Sequence, residues 1–201
     1  MSVPDKKLAM VTYWFAGWLS LSISMGIARA GTELVFPAGD LEDPAGWTIG
    51  KQDGGMTTIV PEAARQGKMG LRVVDASDKD GSDCRSAAIP VKGGETVELR
   101  FWGRNLSGSG IGVYLHFHDA TGRTLNDQRP NQIISSLPPE QREWGEFRLV
   151  GTAPTAAATA SVWIHSYSAS KVSAEYDDFR LFRLSDKEAD AMQDERTRQI
   201  L

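Results

Sequence analysis

The stretch Ile111-Gly112-Val113-Tyr114-Leu115-His116-Phe117-His118 decides how the rest of the chain folds. Ile111, Val113, Leu115 and Phe117 fall on one side of an extended backbone, and Tyr114, His116 and His118 fall on the other. A period of two belongs to a β-strand with one face on a core and the other turned away from it. Residues 160–167 repeat the device, with Val162 and Ile164 alternating with Trp163, His165 and Tyr167. The period also sets Leu99 and Phe101 against Arg100 and Trp102, and Phe147 and Leu149 against Glu146 and Arg148. Leu71 with Val73 and Phe179 with Leu181 mark two more strands, and shorter candidates lie near 33–36, 56–60, 84–89 and 131–135. Gly108-Ser109-Gly110-Ile111-Gly112 reads as a hairpin turn and not a phosphate loop, because no helix follows it. Eight to ten short strands broken by Gly, Pro, Asn and Asp predict an all-β jelly-roll β-sandwich.

The chain has 201 residues, enough for one domain with a short appendage. A formal charge of −4 argues against nucleic acid as a partner, since a phosphate backbone needs a basic face. One cysteine, Cys84, excludes an intrachain disulfide and a cysteine-rich zinc site. Lys6 and Lys7 precede an uncharged run from Leu8 to Ala28, which ends in Ala28-Arg29-Ala30 just before Gly31. Basic residues, an apolar stretch and a small-x-small site are the marks of a secretory signal peptide. The rival is a retained membrane anchor, which a run of this length could also form. Residues 1–30 are therefore expected to be a cleaved signal, giving a secreted or periplasmic monomer with no membrane association. They contain Lys6, Lys7, Arg29 and Asp5, so the remainder carries a formal −6. Residues 31–184 would form the sandwich, and 185–201 a helical tail opened by the capping box Ser185-Asp186-Lys187-Glu188.

Several pieces, in order, carry a family resemblance. They are Gly39-Asp40-Leu41-Glu42 with Gly46-Trp47, Gly67-Lys68-Met69-Gly70-Leu71-Arg72-Val73, and Pro90-Val91-Lys92-Gly93-Gly94-Glu95 with Leu99-Arg100-Phe101-Trp102. Glu143-Trp144 and Tyr176-Asp177-Asp178-Phe179-Arg180-Leu181 complete the set. Together they resemble the galactose-binding-like carbohydrate-binding modules found in cellulases and xylanases. The resemblance implies a structural calcium ion held by Glu42, the Lys68 carbonyl, and Asp177 or Asp178, with Asp40 as a possible addition. Asp177 shares parity with Phe179 and Leu181 and is expected to point inward. Trp47 and Trp144 match positions that cap the core. Trp102 is expected outward on the opposite sheet, as packing or edge cover.

In an eight-stranded jelly roll lettered B to I, residues 111–118 fit strand E and 160–167 fit strand H, which are neighbours. Tyr114, His116, His118, Trp163, His165 and Tyr167 would then form one outward patch, extended by Arg85 and by Asn131 or Gln132. Sugar rings lay apolar C–H faces on aromatic rings, and their hydroxyls meet planar polar groups; this patch offers both. Contiguous exposed aromatic surface marks binding sites, although outward aromatics also support sheets by cross-strand packing. The expected partner is a polysaccharide or oligosaccharide, bound and not transformed. A protein-interaction or adhesion module on the same fold is the alternative. A further one is a zinc ion held by His116, His118 and His165. No G-x-S-x-G elbow or glycosidase-like carboxylate pair points to catalysis.

Overall fold

A computed structural model describes residues 31–192. The signal segment expected at 1–30 and the end of the tail lie outside the described residues. Twelve strands, all antiparallel to their partners, form two sheets among the described residues. The first sheet runs β10 (Gly145–Thr152), β7 (Thr96–Gly108), β12 (Val172–Arg183), β4 (Gly70–Asp75) and β3 (Thr57–Val60), with β1 (Thr32–Glu33) paired to the end of β12. The second runs β2 (Trp47–Ile49), β5 (Cys84–Ser86), β11 (Ala157–Ser166), β8 (Ile111–Asp119) and β9 (Ile133–Ser136), with β6 (Ile89–Pro90) on β11. This is the two-sheet sandwich that the period-two pattern predicts. Residues 186–192 are helical, and the capping box is formed: the Ser185 N–H donates to Glu188 Oε2 at 2.8 Å, and the Glu188 N–H to Ser185 Oγ at 3.4 Å. No described helix is long and apolar enough to cross a membrane.

The core fills the space between the sheets. Val113, Leu115 and Phe117 of β8 and Val162 and Ile164 of β11 are fully buried, in one cluster with Leu71, Val73, Leu99 and Leu181 of the first sheet. Each such side chain removed from water contributes about 1.5–3 kcal/mol. Trp47 closes one end as expected. Its ring lies 5.1 Å from that of Phe179, and its Nε1–H donates to the Ala38 carbonyl at 2.8 Å. Cys84 is wholly buried, and burial pushes its thiol up to about 12.

Three expectations are corrected. Trp144 is half-buried and stands outside the core cluster, with the Arg104 guanidinium 4.7 Å from its ring centre. Residues 108–112 are not a hairpin turn, because β7 and β8 belong to different sheets and the segment crosses between them. Glycine is required there: Gly108 has φ +73°, and a Cβ would lie 1.8 Å from the Lys171 carbonyl oxygen. Asp177 does not point into the core. A bulge between Asp177 and Arg180, with Asp178 at φ 52°, inserts one residue into β12 and reverses the parity. Tyr176 and Phe179 therefore face the core, while Asp177 lies opposite Trp102 on the outer face, buried beneath the 65–66 loop.

Asp53 ties the two edges of the sandwich together. It is fully buried and accepts from the Thr57 N–H (2.8 Å), the Thr57 hydroxyl (2.7 Å) and the Asp83 N–H (2.8 Å). Thr57 opens β3, and Asp83 immediately precedes β5 in the other sheet. Removing the carboxylate leaves two backbone N–H groups buried and unpaired, so Asp53→Ala is expected to cost about 3 kcal/mol. Urea denaturation should show a lower midpoint at unchanged slope, with Asp53→Asn losing less because it keeps one acceptor oxygen.

Candidate functional site

β11 lies at the centre of the second sheet, and its register assembles the site. Trp163 stands opposite Tyr114 of β8 on one side and Arg85 of β5 on the other. Thr48 lies beyond Arg85, and Ile134 beyond Tyr114. Facing residues of antiparallel strands share a side of the sheet. One row therefore crosses five strands on the face away from the core. Along the strands, the Trp163 ring centre is 4.4 Å from that of His165, nearly parallel at 14°, and 5.4 Å from that of His116. Tyr114 is 4.9 Å from Trp163 and 5.7 Å from His116; His118 and Tyr167 continue the series at 6.2 and 6.5 Å. The six rings expected to meet do meet, and Arg85 lays its guanidinium 4.4 Å from the Trp163 ring centre.

Exposure is not uniform across this patch. Trp163, His165, Tyr167 and His118 are half-buried, but Tyr114 is only 7% exposed and His116 3%. The expectation of six solvated rings is thus corrected: Tyr114 and His116 are buried, and the other four rings beside them are half-buried. Burial, with Tyr167 nearby, pushes the Tyr114 phenol up to about 12, so it stays protonated. Burial first, then Arg85 and His118, lower His116 to about 4, so its ring is neutral near pH 7. Among the described residues, neither His116 nitrogen has a hydrogen-bond partner.

The remaining polar groups are fixed. Asp83 accepts the Trp163 Nε1–H at 2.8 Å and lies 3.2 Å from Arg85 Nε, which locks the indole and the guanidinium together. His165 Nδ1 bonds the Ser82 carbonyl. Tyr167 and Ser136 hydroxyls meet at 2.8 Å. Asp83, Ser82 and Ser136 escaped the sequence reading. Asp83 was within reach of it, since it lies two residues before Arg85 and so has the parity of the site. Asn131 and Gln132 lie just before β9, and Gln132 is held by its own loop, donating to the Asp127 carbonyl.

The histidines do not converge on a zinc ion. The Trp163 ring lies between His165 and His116. His118 uses both nitrogens, Nε2 with Ser161 Oγ at 2.7 Å and Nδ1 with Thr124 Oγ at 3.1 Å. No metal-holding group of three His, Cys, Asp or Glu occurs among the described residues.

The residues implied for calcium lie around one loop, where backbone N–H groups and Arg180 take up their carboxylate oxygens. Glu42 Oε1 accepts the N–H groups of Lys68 (2.7 Å) and Met69 (3.1 Å), which hold its carboxyl below the usual range. Asp177 Oδ2 accepts those of Arg65 and Gln66, and Oδ1 that of Asp178; burial nevertheless raises its carboxyl. Asp178 pairs with Arg180 Nε at 2.9 Å. Calcium needs oxygen ligands, including carbonyls, and here the loop turns N–H groups toward both acids. Asp40 Oδ1 accepts the Glu42 N–H at 3.2 Å. As arranged, these residues clamp the 65–69 loop and do not fit the ion.

The chain matches no protein-family model and no curated protein. Solved structures do share its fold. "Family 16 Carbohydrate Binding Module-2" superposes with TM-score 0.52 at 23% identity, covering 71% of this chain and 95% of that one. The CBM22-1 xylan-binding domain of Paenibacillus barcinonensis Xyn10C gives 0.53 at 18%, covering 79% and 98%. A cyclase from Fischerella sp. TAU gives 0.57 at 12%, covering 77% and 98%. The architecture is thus that of carbohydrate-binding β-sandwich modules, and it is also found in an enzyme, so the choice of function falls to the site.

Two measurements test these assignments. Melts in calcium and in chelator should superimpose; a rise in calcium would show that Glu42 and Asp177 exchange N–H donors for the ion. For His116, the unfolded ring titrates near its usual 6.5 and the folded ring near 4. The unfolded state therefore binds more protons between these values, and stability is full above the upper value and falls as the pH drops toward the lower. The loss is on the order of 3 kcal/mol. His116→Phe should flatten the stability–pH curve across this window, leaving a residual slope from His118, which burial also lowers.

Proposed function

We propose that the chain is an exported, non-catalytic module that binds a poly- or oligosaccharide on the outer face of the second sheet. The observation that carries this is the row Arg85–Trp163–Tyr114 across neighbouring strands, with His165 and Tyr167 beside it and Asp83 fixing the indole. Trp163, half-buried and held by its Nε1–H, has His165 stacked on it and the Arg85 guanidinium near its ring centre, so the edge of this stack is what it offers to the C–H groups of a sugar ring. Arg85, His165 and Tyr167 supply planar or hydroxyl groups at its edge for the sugar's own hydroxyls. Because these groups are already locked by hydrogen bonds, little side-chain freedom is lost on binding. The shared architecture with a xylan-binding domain supports the same reading.

Trp163 is expected to matter and Trp102 not to. A stacked aromatic at the centre of an interface contributes about 2 kcal/mol, so Trp163→Ala should weaken binding of neutral oligosaccharides about 30-fold. Trp102, on the other sheet, should leave that affinity unchanged when replaced by Ala. Affinity electrophoresis on folded mutants reads both, with loss in Trp102→Ala alone moving the site to the opposite face. Binding to a protein surface that soluble sugars fail to compete would establish the adhesion reading instead.

A further inference from the structure

The outer face of the first sheet is built from arginines and carboxylates. Arg72 and Arg104 each bind one oxygen of the fully buried Glu175, at 2.6 Å. Arg100 holds Glu98, Arg148 holds Glu146, and Arg180 holds Asp178. Arg65 differs: no carboxylate pairs with it among the described residues. Its guanidinium lies 3.5 Å from the Trp102 ring centre, and its backbone N–H is anchored on Asp177 Oδ2 at 2.7 Å.

Stacking occupies the flat face of a guanidinium and leaves its in-plane N–H fork unspent. Arg65 lines a groove of about 280 Å³, whose wall also includes Trp102, Phe182, Gln66, Arg100 and Arg180. The volume is at the low end for ligand sites, ring-sized and not chain-sized. A planar carboxylate matches the fork with two parallel hydrogen bonds. Glu146 and Asp178 also line the groove, each with its own arginine. They can accept hydroxyl protons but would repel a multiply charged phosphate. We propose that this groove is a second binding site, on the face opposite the first, for the uronic-acid residue of an acidic glycan, with Arg65 holding the carboxylate.

Calorimetry on the full chain with an oligogalacturonate and with its carboxyl-reduced, neutral counterpart tests this. The acidic sugar should bind, more weakly as salt rises, and the neutral one about tenfold or more weaker, the scale of a charged hydrogen bond. Arg65→Gln should cost a similar factor, and Arg65→Lys less, since it keeps the charge but not the fork. Unchanged melting temperatures would show that these variants fold. Trp163→Ala should leave uronate binding intact, so failure of the first site and failure of this one are read separately. Equal binding of the acidic and neutral sugars, no binding of either, or wild-type affinity in Arg65→Gln would overturn the proposal. So would loss of uronate binding in Trp163→Ala alone.

Discussion

The pairing register of β8 with β11 is the constraint on which both the core and the candidate site depend. It places Val113 opposite Ile164 and Leu115 opposite Val162 beneath the sheet, and Tyr114 opposite Trp163 above it. A slip of one residue would turn the aliphatic set outward and bury the aromatic one. The energy that prevents the slip comes from the inner face, where the aliphatic residues are fully removed from water. The outer face then inherits its geometry from the core, and the site residues are placed without having to secure the fold themselves.

The two outer faces solve the same problem differently. A sandwich must finish each sheet on the side away from the core. The second sheet does so with packed rings, Trp163 stacked on His165 and tilted against Tyr114 and His116. The first sheet does so with guanidinium groups that cover aromatic rings (Arg65 on Trp102, Arg100 on Phe182, Arg104 on Trp144) and neutralise the buried Glu98 and Glu175. Both surfaces are amphipathic, yet one is finished with packed rings and the other with a lattice of charge.

Much of this was legible in the sequence because strand parity is a local property. Alternation located β8 and β11 and predicted which side chains of each share a face; the jelly-roll strand order made the two strands neighbours and set Trp102 on the opposite sheet. What it could not supply was anything that depends on counting across an irregularity or on depth. The extra residue at Asp178 reversed the parity of Asp177, and nothing in Tyr176-Asp177-Asp178-Phe179 announces a bulge. Gly108 and Gly110 suit a hairpin as well as a crossover, since either demands positive φ. The burial of His116 depends on the rings of Tyr114, His118 and Trp163 packed around it, a tertiary fact that parity does not contain. Asp83, by contrast, has a local signature: it stands two residues from Arg85 and so shares its face of the strand.

Cys84 has a consequence for the covalent history of the chain. A thiol of this depth, held protonated to about 12, presents almost no thiolate to an oxidant or to another disulfide. With no second cysteine, the folded domain has no internal exchange partner, and full burial within the core cluster screens it from an external one. The domain therefore keeps the same bonds in a reducing cytoplasm and in an oxidising exterior. Only an unfolded copy exposes the sulfur, so intermolecular crosslinks formed by this chain report failure to fold rather than a property of the native state.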